Sequence, residues 1–127
     1  MLSAIEIHRR IRSREVSCEQ VVRDHFDRIE SLNPRLNAFL TLTPELALET
    51  ARDVDARVAR GEPLAPLAGV PVAVKDNISV PGAEVTCGSR ILRGYRPPFG
   101  ATVHERMRAA GLPCLGKTNM DEFAMGS

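Results

Sequence analysis

The sequence predicts an α/β fold in which a helical lead-in over residues 1–61 is followed, over 62–127, by the opening β–α–β unit of a sheet. Three observations carry this reading. Three apolar runs at helical spacing, each opened by a capping signal, fill the first half of the chain. Two compact apolar runs, Val70–Val74 and Leu112–Leu115, have the length of buried strands. A further helical run, Ala101–Ala110, lies between them, and strand, crossover helix, strand implies parallel pairing.

In chain order, Ser3 and Glu6 have the spacing of a capping box. Leu2, Ile7 and Ile11 then mark one side of a short helix, with Arg9, Arg10, Arg12 and Arg14 outward. Ser17 and Gln20 repeat the capping spacing, and Val22, Phe26 and Ile29 recur at helical intervals until Asn33 and Pro34, which are expected to stop the run and complete an αα-hairpin. After the apolar stretch Leu36–Leu42, Thr43 and Pro44 place a cap before a proline at the first helical position. Ala47, Ala51, Val54 and Val58 point inward from that helix, which ends before Gly61.

Pro63, Pro66, Gly69 and Pro71 punctuate the connector into the first strand. Residues 79–100 are rich in glycine, proline and small polar side chains and read as a long functional loop within one domain. Val103, Met107 and Ala110 define the crossover helix, with Gly111 as its cap. Asn119 and Glu122 predict a last short helix, Met120–Met125.

Composition narrows the function classes. With 17 basic against 16 acidic residues and one tyrosine, the chain lacks the basic and aromatic surface of a module that grips nucleic acid directly. No apolar run approaches the ~20 residues that span a bilayer, and the amino terminus lacks a signal-peptide apolar region, so a cytoplasmic protein is expected. Cys18, Cys87 and Cys114 are odd in number and widely spaced, which suggests reduced thiols rather than a disulfide framework or metal site.

Of the 17 basic residues 15 are arginine, and Lys75 and Lys117 alone are lysine. Lys75 closes a buried strand and is followed by Asp76 and Asn77. Spacing leaves two readings open: a cation facing water or paired with Asp76, or a general base, for which lysine suits and the permanently charged arginine does not. Residues 111–118, GLPCLGKT, match GxxxxGK[ST], but a phosphate-binding loop follows a buried strand and opens a helix. Here the segment follows a polar helix and has an apolar interior, so a helix cap and a strand are expected instead. His8, His25 and His104 share no ligand spacing and are expected at the surface. Asp121 and Glu122 are adjacent, which suits capping better than paired acid and base roles.

The runs LAGVPVAVKDN (Leu67–Asn77), TCGS (Thr86–Ser89) and GATVHERMRAAGLPCLGKTNMDEFAMGS (Gly100–Ser127) resemble, in wording and order, the amidase-signature family. Within it, the TCGS and NMDEFAMGS wording and the opening LSAIEIHRRIRSREVS are most similar to the A subunits of glutamyl-tRNA(Gln) or aspartyl-tRNA(Asn) amidotransferases. The likeness covers the whole chain. It implies an α/β/α mixed sheet present here only in its amino-terminal part, as one incomplete amidase domain.

The resemblance further implies a triad of a nucleophilic serine, a second serine held by a cis peptide, and a lysine matching Lys75 as base and proton relay, with both serines expected beyond Ser127. Ser89 and Ser127 do not match them. Met125, Gly126 and Ser127 are implied to lie near the substrate pocket. Such proteins hydrolyse glutamine and pass ammonia to the B subunits of their complexes, which use ATP and Mg to activate mischarged tRNA, while the small C subunits brace the assembly; no metal or cofactor is implied for this segment. The isolated chain is expected to be inactive and unstable alone. A stand-alone acylamide amidase and a non-catalytic, partner-binding fragment are the alternatives.

Overall fold

The computed structural model describes residues 2–126. Three helices lead, as expected: α1 (Ala4–Arg12), α2 (Cys18–Leu36) and α3 (Pro44–Ala59). Ser3 stays extended and its Oγ accepts from Glu6 N at 3.2 Å, while Ser17 Oγ accepts from Gln20 N at 3.0 Å. Each hydroxyl satisfies an amide that the helix leaves unpaired. On α1, Arg9 bridges Glu6 and Glu15 in water, so the arginine run is an ion-paired, solvated face.

Asn33 and Pro34 do not stop α2. The helix runs on to Leu36 and ends at Asn37, which is left-handed and donates its N–H to Asn33 O at 2.7 Å. The Asn33 side chain instead grips Phe39 through both backbone N and O, which sets the exit direction of the chain. The main packing partner of α2 is α3. Asp55 of α3 accepts from Cys18 N at 2.7 Å and Glu19 N at 3.0 Å, placing a carboxylate at the positive end of α2.

Among the described residues the sheet has three strands, one more than expected. β1 (Phe39–Leu42), β2 (Val72–Lys75) and β3 (Cys114–Thr118) lie in the order β1-β3-β2. The pair β2–β3 is parallel and joined through α4 (Thr102–Ala109), as the β–α–β reading required; β1 is antiparallel to β3. Gly116 allows the close approach of β1, since a Cβ there would strike Thr41 O. Thr43, at the start of α3, spends its hydroxyl on Cys114 O at 2.8 Å and so ties helix to central strand instead of capping.

An apolar core joins the layers: Ile7 and Ile11 of α1, Val22 of α2, Val54 of α3, and Val70 and Leu115 beside them are all buried. Each such side chain contributes roughly 1.5–3 kcal/mol on leaving water. Among the described residues, no helix is long and apolar enough to cross a membrane.

Two further expectations fail. In α4 the buried side chain is His104, 6% exposed, while Val103 is 47% exposed. His8 and His25 are half-buried on helix flanks, with Nδ1 atoms bonded to the carbonyls of Ala68 and Val21. The segment after β3 is no capped α-helix: Asn119 Oδ1 accepts only from the adjacent Met120 N, and a 3₁₀ turn covers Glu122–Ala124. Phe123 (φ 53°) and Ala124 (φ 59°) are left-handed, which an α-helix of L residues cannot contain.

Candidate active site

Strand alternation decides what each charged group at the carboxyl edge of the sheet can reach. Val74 lies opposite Lys117 and Lys75 opposite Thr118. Val74, Asp76 and Lys117 therefore share one face and are buried, and Lys75 projects from the other and is exposed. Asp76 N donates to Thr118 O at 3.2 Å, carrying the ladder one residue past Lys75, and Ile78 N closes a turn on Lys75 O at 3.0 Å.

Asp76 is the hub beneath this edge. It is wholly buried, and its Oδ1 meets Lys117 Nζ at 3.1 Å. Lys117 Nζ has two further acceptors, Asp76 O and Glu84 O, each at 3.4 Å, so its three protons are matched by three acceptors. Asp76 Oδ2 accepts from Thr86 N at 3.0 Å, from the Thr86 hydroxyl, and from Gly88 N at 3.5 Å. Among the described residues Lys75 enters no ion pair, because the carboxylate beside it in sequence is committed to the opposite face.

The TCGS loop is thereby fastened to the sheet, and it fastens the last segment in turn. Cys87 O accepts from Phe123 N at 2.8 Å, and Ser89 Oγ donates to Glu122 Oε1. Gly88 (φ 69°) fits only without a side chain, for a Cβ would lie 2.6 Å from Met120 O. The three stretches that carry the sequence resemblance are thus one connected structure. Met125 and Gly126 are exposed at its rim, and Ser127 lies outside the described residues.

The reading of GLPCLGKT as cap and strand holds, although the strand is Cys114–Thr118 and not the expected Leu112–Leu115. Gly111 (φ 73°) follows α4, residues 114–118 are β3, and the Lys117 ammonium is enclosed by Asp76 and two carbonyls. Asp76 and Lys117 were not singled out as partners from sequence. The signal was the second lysine in an arginine-rich chain, in line with an apolar run that continues through Gly116. Cys18, Cys87 and Cys114 are free thiols; burial pushes the Cys18 thiol up to about 12, with Asp55 adding to the rise.

Comparison with known proteins fits this geometry. The amidase family profile matches residues 20–127. The A subunit of the glutamyl-tRNA(Gln) amidotransferase of Carboxydothermus hydrogenoformans is 53% identical over 126 residues, 99% of this chain and 26% of that protein. Among solved structures, an inhibitor-bound complex tied to the evolutionary origins of an s-triazine catabolic enzyme superposes with TM-score 0.94 at 39% identity, over 98% of this chain and 28% of that one. A bacterial aryl acylamidase of the amidase-signature family does so with TM-score 0.89 at 33% identity, over 96% and 26%. The chain spans about a quarter of the length of the curated relatives it matches. With the matched profile covering most of its residues, the chain belongs to the amidase-signature family.

Proposed function

We propose that this chain supplies the lysine of a glutamine-hydrolysing amidotransferase subunit, with Lys75 as the base of a serine–serine–lysine triad. The observation that carries the reading is the placement of Lys75: a lysine on the open face of the sheet edge that enters no ion pair among the described residues, held between two buried neighbours while the other lysine neutralises Asp76. In the intact enzyme Lys75 takes a proton, relayed by the cis serine, from the serine that attacks the glutamine carboxamide; ammonia leaves and water frees glutamate from the acyl-enzyme. By their place in the motif, Met125 and Gly126 lie near the substrate pocket. The B subunit of the complex, with ATP and Mg, uses the ammonia on glutamyl-tRNA or aspartyl-tRNA in the cytoplasm, and the small C subunit braces the pair. The amidotransferase relatives support this assignment.

A chimera tests it, with this chain replacing the matching segment of the Carboxydothermus A subunit and the B and C subunits co-expressed. Ammonia release from glutamine should fall ~10²–10⁴-fold in Lys75→Ala and in Lys75→Arg, the scale of losing a general base. Full activity in Lys75→Arg would sink the assignment. The likeness to the aryl acylamidase supports a second reading, a stand-alone acylamide amidase. Failure of the chimera to assemble with the B and C subunits, with acylamide hydrolysis intact, would favour it.

A further inference from the structure

We infer that Asp76 is a positioning residue for the reaction, a clamp that holds the Lys75 backbone, the Thr86–Gly88 loop and the Met120–Met125 segment in one fixed arrangement; the inference rests on the role proposed for Lys75. The buried pair Asp76–Lys117 is a poor device for stability alone, because a well-packed apolar pair of similar volume does as well or better. What it provides is geometry. One carboxylate takes donors from β3, through Lys117, and from the loop, through Thr86 and Gly88. It sits one residue from the lysine that must meet a proton, and its own backbone N and O are bonded to Thr118 and to Cys87.

The consequence reaches further along the chain. Through Cys87 O and Ser89 Oγ the loop holds Phe123 and Glu122, in a segment whose backbone is left-handed at two successive residues. Such backbone persists only where its surroundings over-determine it. Releasing Asp76 from Thr86 and Gly88 lets the loop, and with it the rim that carries Met125, move relative to Lys75. A shift of about 1 Å between reacting groups is enough to cost ~10²-fold in rate.

The test uses the same chimeric complex with Asp76→Asn, Asp76→Glu, Thr86→Val and, in parallel, Lys75→Ala. In the folded fraction Asp76→Asn should lower kcat for glutamine hydrolysis 10- to 100-fold with KM changed less than threefold. The amides of Thr86, Cys87 and Gly88 should exchange with deuterium at least 10-fold faster, while those of Leu115 and Gly116 keep their protection. Asp76→Glu keeps the charge but changes the reach, and it should not restore kcat. Should Asp76→Asn fail to fold, Thr86→Val carries the test, with a several-fold fall in kcat and faster exchange at Gly88. Parent-like kcat in the folded Asp76 variants, or in Thr86→Val, would overturn the clamp. Retained activity in Lys75→Ala would instead remove the base, so the two failures are distinguishable.

Discussion

The helical lead-in and the carboxyl edge of the sheet are held together by opposite means. The lead-in rests on aliphatic burial among Ile7, Ile11, Val22 and Val54. The edge rests on a buried ion pair and a loop of hydrogen bonds around Asp76. Apolar packing is non-directional and forgives a lost methylene, whereas a buried charge needs every partner in place. The region that fixes geometry most tightly is therefore also the one least tolerant of substitution, and it is where the proposed chemistry lies.

The largest effect expected is at the edge. Lys117→Met leaves Asp76 buried without its counter-charge and should cost about 3–5 kcal/mol, measured by urea unfolding of the chimera. A cost below about 1 kcal/mol would mean that the pair is better solvated than its burial implies. Next comes Thr86→Val, which preserves shape but removes a hydroxyl donor to Asp76 Oδ2 and should cost about 1–3 kcal/mol. In the lead-in, Ile11→Val removes a methylene and should cost only about 0.5–1.5 kcal/mol. If the lead-in change proved costlier than Thr86→Val, the contrast between the regions would be wrong.

The smallest effect at neutral pH is the alkaline response of Cys18. Its folded thiol is raised to about 12 against an ordinary 9.0. The unfolded chain therefore releases the proton first, and the stability from keeping the thiol neutral is full below pH 9 and is lost as pH rises toward 12. Cys18→Ala should flatten that alkaline loss by at most about 1.4 kcal/mol per pH unit, with no change in slope at neutral pH, read from urea midpoints across pH. In mass-spectrometric alkylation under mildly alkaline conditions, the partly exposed Cys87 should label before buried Cys18 and Cys114.

Local chemistry was legible in the sequence where it acts locally. Ser3 and Ser17 announced their helices because a cap needs only its own next three residues. Long-range pairing was not legible. β1 is four residues long, half-exposed in alternation, and its partner Thr118 lies far along the chain from Phe39. The Asn33–Pro34 pair misled because α2 carries Pro34 within it and ends only at the left-handed Asn37, three residues on. His104 is buried in a short, charge-laden helix whose apolar spacing, Val103, Met107 and Ala110, pointed elsewhere. At the site, Lys75 stood out as a lysine among arginines ending a strand, but the commitment of Asp76 to Lys117 depends on strand register, which spacing alone does not reveal.

The division of labour between the two lysines is the central claim, and one paired measurement addresses it: glutamine hydrolysis and thermal melting of the chimeric complex with Lys75→Ala beside Lys117→Met. Lys75→Ala should cut ammonia release ~10²–10⁴-fold with a melting temperature within ~2 °C of the parent, since an exposed side chain that enters no ion pair among the described residues contributes little to stability. Lys117→Met should lower the melting temperature by several degrees. Parent-level ammonia release in a folded Lys75→Ala complex would contradict the account.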